Sequence, residues 1–159
     1  MKHIVGVADM KVSNNPDDTL MTYSLGSCIG LVIYDPYEKV GGMLHYMLPE
    51  SKIDKSKAER NPFMFADTGI PKLFKKTYEF DAKKNRMKVC VFGGAQILDQ
   101  SGFFNIGKRN YMALKKMFFK NKVLIDVENV GGEVNRTIRL EIKTGDIFVK
   151  TSGSQEVKI

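Results

Sequence analysis

Two residues early in the chain, Cys28 and His45, have the side chains of a nucleophile and a general base. A cysteine thiol has an ordinary pKa of about 8.5, so only a few per cent is the reactive thiolate at neutral pH. A neighbouring imidazole can accept the thiol proton and later return it to a leaving amine. Gly26 and Ser27 precede the cysteine, and main-chain N–H groups at such a turn can stabilise the oxyanion of acyl transfer. These residue types predict cysteine-dependent amide hydrolysis.

The spacing of two apolar runs predicts that this pair of side chains meets. Residues 29–34 and 39–46 have the composition of β-strands and are joined by a short turn-type connection. Pairing the residues on either side of the connection places Cys28 directly opposite His45, where the Cβ atoms of an antiparallel pair are about 4.5–5.5 Å apart. A slip of one residue, which a bulge at Gly41-Gly42 could produce, would put the two side chains on opposite faces.

Both residues also have ordinary structural interpretations. An isolated cysteine at the start of an apolar strand is more often a small buried apolar side chain, and a single histidine near a strand end is more often structural. Cys90 lies between two valines and is predicted to be a core residue, and His3 lies close to the N-terminus with no chemical partner in the pattern. The predicted opposition of Cys28 and His45 raises the functional interpretation to the level of the structural one, and both stay open at this point.

The composition predicts one domain, residues 1–159. The chain is 43% apolar and 27% charged, which is the balance of a globular protein. No apolar stretch approaches the roughly 20 residues of a membrane span, and no secretory signal is recognisable, so a cytoplasmic location is expected. Two cysteines and two histidines at unrelated spacings argue against a structural zinc site and favour free thiols.

Basic residues outnumber acidic ones, which gives a net charge of +7 and favours an acidic partner. The basic residues are scattered over predicted helices and a connector, and the sequence has no C2H2 spacing, aromatic RNA-binding signature or leucine zipper. Solvated helix faces are the simplest interpretation of the charge. An acidic protein surface fits it as well as nucleic acid does.

Hydrophobic periodicity predicts many short strands and two substantial helices. The helices are expected at 62–78, where Pro71 could cause a kink, and at 106–120. Strands are predicted at 3–8, 19–24, 29–34, 39–46, 87–92, 123–130, 136–142 and 147–150. This order predicts an α/β (α+β) layered sandwich, in which helices pack on a mixed, mainly antiparallel β-sheet.

Four short motifs occur in a characteristic order along the chain. They are LGSC at 25–28, HYMLP at 45–49, FGGA at 92–95 and NIGKRN at 105–110. Together they resemble the chemoreceptor glutamine deamidase (CheD) family over roughly residues 6–149. The first two motifs at this spacing are specific and the fourth adds strong support, whereas a lone GGA would mean little.

The resemblance implies a protein-glutamine deamidase that converts selected glutamines of methyl-accepting chemotaxis receptors to glutamate and ammonia. It assigns Cys28 as the nucleophile, His45 as the base and Thr22 as a third member that orients the imidazole. It also implies no metal or organic cofactor, a fold resembling toxin-type glutamine deamidases, and a CheC-type phosphatase as a binding partner. The alternative is a non-catalytic adaptor that regulates this phosphatase. A nucleic-acid binder ranks far behind both, and no membrane insertion is expected.

Overall fold

The structure is a computed structural model that describes residues 1–96 and 105–159. The strands in these residues form two five-stranded sheets, ordered β1-β3-β8-β9-β10 and β2-β5-β4-β6-β7. The elements are β1 (Lys2–Ile4), β2 (Asp9–Ser13), β3 (Thr19–Leu25), β4 (Ile29–Asp35), β5 (Val40–Tyr46), α1 (Lys55–Arg60), α2 (Ala66–Tyr78), β6 (Lys88–Gly93), α3 (Ile106–Asn121), β7 (Val127–Val130), β8 (Arg136–Glu141), β9 (Ile147–Thr151) and β10 (Val157–Lys158).

The two sheets and the helices form three layers. The sheets face each other across a core that includes Leu20 of β3 and Val32 of β4. A second core lies on the other face of the β4–β5 sheet, where Leu73 of α2 and Leu114 of α3 are buried. Within the described strands, pairing is antiparallel except for β1 with β3 and β6 with β7. The predicted α/β fold of mixed, mainly antiparallel sheet with packed helices is confirmed, and its resemblance to toxin-type deamidases stays a prediction.

Strands β2 and β10 were not predicted from the sequence. Both lie at the edge of a sheet, and their sequences, DMKVS and VK, contain few apolar residues. Edge strands are often short or charged because this discourages pairing with other chains. Apolar runs in the sequence therefore do not predict these two strands.

The segment that leads into α2 differs from the predicted single helix at 62–78. Residues 62–64 form a short 3-10 turn, and α2 begins at Ala66. Pro71 lies inside α2, and the helix continues through it. No helix in the described part of the chain is both long enough and apolar enough to cross a bilayer.

The β4–β5 hairpin has a register that differs by two residues from the predicted one. Gly30, and not Cys28, lies opposite His45. The predicted pairing was wrong because the turn is formed by residues 36–39 and not by 35–38. A shift of two residues is a whole period of the side-chain alternation along a strand, so it does not change the face of the sheet to which His45 is assigned. Cys28 lies in the bend before β4, and its side chain packs against the core between the sheets.

Two glycines of β5 allow the layers above and below to approach its backbone. The strand pairs with both neighbours without a register shift, so it contains no bulge. A Cβ atom at Gly41 would lie 2.6 Å from the side chain of Ile142, and one at Gly42 would lie 2.8 Å from Leu73. The Gly-Gly pair therefore marks a close approach of both neighbouring layers to the backbone and not a bulge, and β5 lies in the middle layer of the molecule.

Candidate active site

His45 and Thr22 contact each other across the interior between the two sheets. His45, on β5, is 2% exposed, and Thr22, on β3 of the opposite sheet, is fully buried. The Oγ1 atom of Thr22 lies 2.8 Å from Nδ1 of His45. The stacking of the sheets, and not the hairpin, brings these two residues together.

The hydroxyl of Thr22 determines which ring nitrogen of His45 carries the proton. Its single hydrogen is donated to the main-chain carbonyl of Val5, 2.7 Å away, because a carbonyl can only accept. The hydroxyl oxygen therefore accepts a hydrogen bond from Nδ1–H of His45. This assigns the free lone pair to Nε2, which is buried and has no hydrogen-bond partner among residues 1–96 and 105–159. An unprotonated ring nitrogen is the form that a general base requires.

Burial keeps the imidazole of His45 neutral. Desolvation of the charged form lowers the pKa of His45 from 6.5 to about 4, and the carboxylate of Asp9 offsets only part of this effect. Asp9 lies opposite His45 on the neighbouring strand β2. At neutral pH the ring is therefore a free base.

Cys28 occupies the bend that leads into β4, and neighbouring segments hold the backbone of this bend. The carbonyl of Cys28 accepts the N–H of Gly94, and the carbonyl of Gly26 accepts the N–H of Ala95, each at 2.8 Å. The cysteine side chain is partly buried and packs against the core between the sheets, which is the side that carries His45. Burial raises the pKa of the Cys28 thiol to about 11.

The thiol and the imidazole share a face but do not form a hydrogen bond in this structure. Cys28 lies in the bend just outside the β4–β5 ladder, two residues before the position opposite His45. Among the residues that the structure describes, Nε2 of His45 has no partner. Catalytic hydrogen bonds are often long in a free enzyme and tighten when substrate binds, so this separation is compatible with a nucleophile–base pair.

Main-chain donors lie next to the thiol. Neither the N–H of Ser27 nor that of Cys28 donates to an oxygen acceptor in the described ranges. The N–H of Cys28 contacts the thiol of its own residue, and main-chain N–H groups beside a nucleophile are the usual donors of an oxyanion site. The bend can therefore supply both the sulfur and the stabilisation of the charge that its attack creates.

Glycines allow the loop after β6 to approach the cysteine bend and helix α3. Gly93 and Gly94 have positive φ angles, 103° and 61°. A Cβ atom at Gly93 would lie 2.2 Å from the carbonyl oxygen of Cys28, and one at Gly107 would lie 2.2 Å from that of Ala95. The FGGA and NIGKRN motifs thus form the wall that holds the cysteine bend.

Two buried polar side chains near the site were not predicted as site residues. Asn110 of α3 donates through Nδ2 to the carbonyls of Ser27, at 2.9 Å, and Met47, at 2.7 Å. Arg136 at the start of β8 donates to the carbonyl of Gly93, at 3.3 Å. The available signal for Asn110 was a polar residue on the apolar stripe of a predicted helix. The signal for Arg136 was the resemblance of the tail of the chain to the family, through Gly131-Gly132 and Arg136, which assigned it no role.

The other cysteine and histidine lie away from this site. Cys90 is fully buried in β6, which confirms its prediction as a core residue. Nε2 of the partly exposed His3 lies 3.1 Å from Oδ2 of Asp18. Within residues 1–96 and 105–159, no group of three or more His, Cys, Asp or Glu side chains is arranged to hold a metal ion.

Known proteins show similarity over nearly the whole chain. A protein-family model described as CheD chemotactic sensory transduction matches residues 47–151. A probable chemoreceptor glutamine deamidase of Syntrophus aciditrophicus is 59% identical over 150 residues, which cover 94% of each chain. One of Solibacter usitatus is 50% identical over 153 residues, covering 96% of this chain and 90% of the relative. One of Anaeromyxobacter dehalogenans is 41% identical over 151 residues, covering 95% and 94%.

Proposed function

The chain belongs to the CheD chemotactic sensory transduction family, and on that premise we propose that it is a protein-glutamine deamidase acting on methyl-accepting chemotaxis receptors. It hydrolyses selected glutamine side chains to glutamate with release of ammonia. The relatives named above carry the description of chemoreceptor glutamine deamidases, which supports both the reaction and the class of substrate.

The first half of the reaction transfers the acyl group to Cys28. Because burial keeps the thiol and the imidazole neutral in the free protein, the proton moves as the sulfur attacks. Sγ bonds to the carboxamide carbon, the thiol proton passes to Nε2 of His45, and the carbonyl oxygen becomes an oxyanion that accepts the N–H groups of Ser27 and Cys28. The C–N bond then breaks, the nitrogen takes the proton from Nε2, and ammonia leaves a thioester.

The second half releases glutamate and restores the thiol. A water molecule gives one proton to Nε2 of His45 while its oxygen attacks the thioester carbon. The C–S bond breaks, and the sulfur of Cys28 recovers the proton. Throughout the cycle Thr22 accepts Nδ1–H, which keeps the lone pair on the nitrogen that must exchange protons. Neither half requires a metal or an organic cofactor.

The hydrogen bonding of His45 is the observation that carries this proposal. A buried histidine with a structural role normally has both ring nitrogens satisfied. Here Nδ1 is bonded to Thr22, while Nε2 has no partner among the described residues. An unpaired buried acceptor costs free energy, and a general base on the face that carries Cys28 accounts for it.

Ammonia release from a purified receptor fragment tests the proposal. The wild type is expected to release ammonia, with the modified glutamines identified by mass spectrometry. Cys28→Ala should reduce release to background, whereas Cys90→Ala, which removes the thiol buried in the core, should retain activity. Release that persists in Cys28→Ala would exclude Cys28 as the nucleophile, and no release from the wild type would exclude the activity.

We further propose a CheC-type phosphatase as a binding partner, on the strength of the family resemblance. Titration calorimetry with the purified phosphatase should show binding to the wild type and to Cys28→Ala alike, because the substitution changes only the thiol. Wild-type protein that binds the phosphatase but releases no ammonia would favour the alternative of a non-catalytic adaptor.

A further inference from the structure

Asn110 bridges two chain segments at the point where the ladder between β4 and β5 ends. The last pair of that ladder is Ile29 with Tyr46. Just beyond it, Nδ2 of Asn110 donates to the carbonyl of Ser27, at 2.9 Å, and to that of Met47, at 2.7 Å. These carbonyls belong to the residue before the proposed nucleophile and to the second residue after the proposed base.

The chemistry of the amide group determines its orientation. An amide nitrogen supplies two N–H donors, and both are used here. Turning the amide over would bring Oδ1 of Asn110 against two carbonyl oxygens, all acceptors. Oδ1 itself is buried without a hydrogen-bond partner in the described part of the chain. Because an unpaired buried acceptor costs free energy, packing alone would favour an apolar side chain at this position of α3.

Neighbouring groups hold Asn110 in place. The residue is fully buried, and its own carbonyl accepts the hydroxyl of Tyr46 at 2.6 Å. One helical turn earlier, Gly107 packs so closely under Ala95 that a Cβ atom would not fit. The side-chain amide of Asn110 is therefore attached to a closely packed part of α3, beside the bend that carries Cys28.

The bond to Ser27 also sets the direction of the Cys28 N–H. The peptide between these residues is trans, and in a planar trans peptide the C=O and N–H groups point in opposite directions. With the carbonyl turned toward Asn110, the N–H of Cys28 points away from it. This N–H has no oxygen acceptor in the described ranges and contacts the sulfur of its own residue, so it lies beside the atom whose attack creates the oxyanion.

We propose that Asn110 is a positioning residue for the deamidation reaction. It orients the Cys28 N–H as an oxyanion donor, and it ties that peptide to the segment that follows His45. The proposal rests on the deamidase activity proposed above for the same site. Asn110 acts through the backbone of Ser27 and Met47 and does not touch the substrate.

The test compares two rates in Asn110→Ala and Asn110→Asp, both made in a Cys90→Ala background. The aspartate matches the size of asparagine but supplies no N–H donor. Loss of one oxyanion donor lowers kcat by about 10²–10³-fold. In both variants we therefore expect kcat for ammonia release from the receptor fragment to fall by about 10²-fold. KM should change by less than about threefold. Alkylation of Cys28 by iodoacetamide forms no oxyanion, so its rate should stay within about threefold of the wild-type rate.

A kcat within about threefold of the wild-type value would overturn the role of Asn110 while leaving the deamidase proposal intact. An equal loss of kcat and of alkylation rate would indicate general disorder of the bend and would also overturn it. If the wild type releases no ammonia, the proposed function fails, and the role of Asn110 fails with it.

Should both variants fail to fold, proton exchange of the wild-type side-chain amides decides. Both Nδ2 protons of Asn110 should exchange with water at least about 10²-fold more slowly than those of the exposed Asn85, because both are bonded and buried. If the side-chain amides of Asn110 and Asn85 exchanged at the same rate, Asn110 would not hold both carbonyls by hydrogen bonds, and the proposal would be overturned.

Discussion

The hydroxyl oxygen of Thr22 lies 2.8 Å from Nδ1 of His45 and connects the two sheets through the histidine ring. Because the hydroxyl hydrogen is donated to the carbonyl of Val5, the direction of the bond to His45 is determined. The ring is held as the tautomer whose Nε2 can accept a proton. In the proposed mechanism, a residue that touches no reacting atom thus controls the protonation of one that does.

Replacing Thr22 with valine should impair the base without removing it. Valine has nearly the shape of threonine but no hydroxyl, so Nδ1–H of His45 and the carbonyl of Val5 would both lose a partner. General-base catalysis contributes about 10²–10⁴-fold, and we expect kcat for ammonia release to fall by roughly 10–100-fold. Thr22→Ser keeps the hydroxyl and should retain most of the activity. Wild-type kcat in Thr22→Val would show that the tautomer is held by something else.

The buried imidazole of His45 should make the protein less stable in mild acid. Its pKa is about 4 in the folded protein and 6.5 ordinarily, so between these values the unfolded chain binds more protons than the folded one. The free energy of unfolding therefore decreases as the pH falls from about 6.5 to about 4 and is unaffected by this group above that window. At about 1.4 kcal/mol per pKa unit, the loss approaches about 3 kcal/mol.

Urea unfolding at several pH values measures this contribution of His45. Other groups titrate in the same range, so the informative quantity is the difference between the wild type and His45→Gln, which lacks the imidazole. That difference should shift in favour of the variant as the pH decreases through the window. A difference independent of pH would mean that the imidazole is not held neutral by burial.

The thiol of Cys28 should be unreactive in the free protein at neutral pH. Burial raises its pKa to about 11, so its alkylation by iodoacetamide at pH 7 should be on the order of a hundredfold slower than that of free cysteine. Measurement from about pH 6 to pH 10 in Cys90→Ala isolates this thiol, and Cys28→Ala reports any reaction of Cys90. A rate that reaches its plateau below neutral pH would reveal a preformed thiolate–imidazolium pair and contradict the neutral resting state.

The position of β4 was predictable from its apolar run, but its pairing was not. Residues 29–34 are nearly the observed strand, and a pattern-based assignment starts the turn at the following Asp-Pro. Asp35 instead remains in the strand, where its carboxylate accepts the N–H of Tyr37 at 2.9 Å and forms an ion pair with Arg86 at 2.8 Å. Arg86 is 51 residues away in sequence, so no local signal reveals this. Lys39, with φ 55°, then completes the turn in a left-handed conformation.

The site could be predicted as a pair of residues but not as an assembly. Cys28 and His45 were identified from residue type. The error in register was two residues, a whole period of strand alternation, so it left the predicted face of His45 unchanged, and the packing of Cys28 against the core between the sheets places it on that face. The contact of His45 with Thr22 depends on how two sheets stack, which no short-range pattern encodes. Asn110 has the spacing of an apolar helix stripe, and only the packing of α3 shows that it reaches Ser27.

Gly107→Ala should destabilise the protein although alanine is the better helix former. In an exposed helix the replacement would favour folding by about 1 kcal/mol. Here the new Cβ atom would lie 2.2 Å from the carbonyl oxygen of Ala95 and 2.7 Å from that of Gly94, both backbone atoms. Overpacking of this kind costs about 1–3 kcal/mol, so the free energy of unfolding measured with urea should decrease.

The same substitution should lower kcat for ammonia release more than the loss of folded protein explains. Gly94 and Ala95 donate their N–H groups to the carbonyls of Cys28 and Gly26, so displacing them moves the bend that carries the thiol. Gly6→Ala is the matched control, because a Cβ atom there would meet nothing within 4 Å. Should Gly107→Ala prove as stable as the wild type, the carbonyl of Ala95 is not pressed against α3. The bend at Cys28 would then be held by hydrogen bonds from Gly94, Ala95 and Asn110, and not by close packing of this loop against α3.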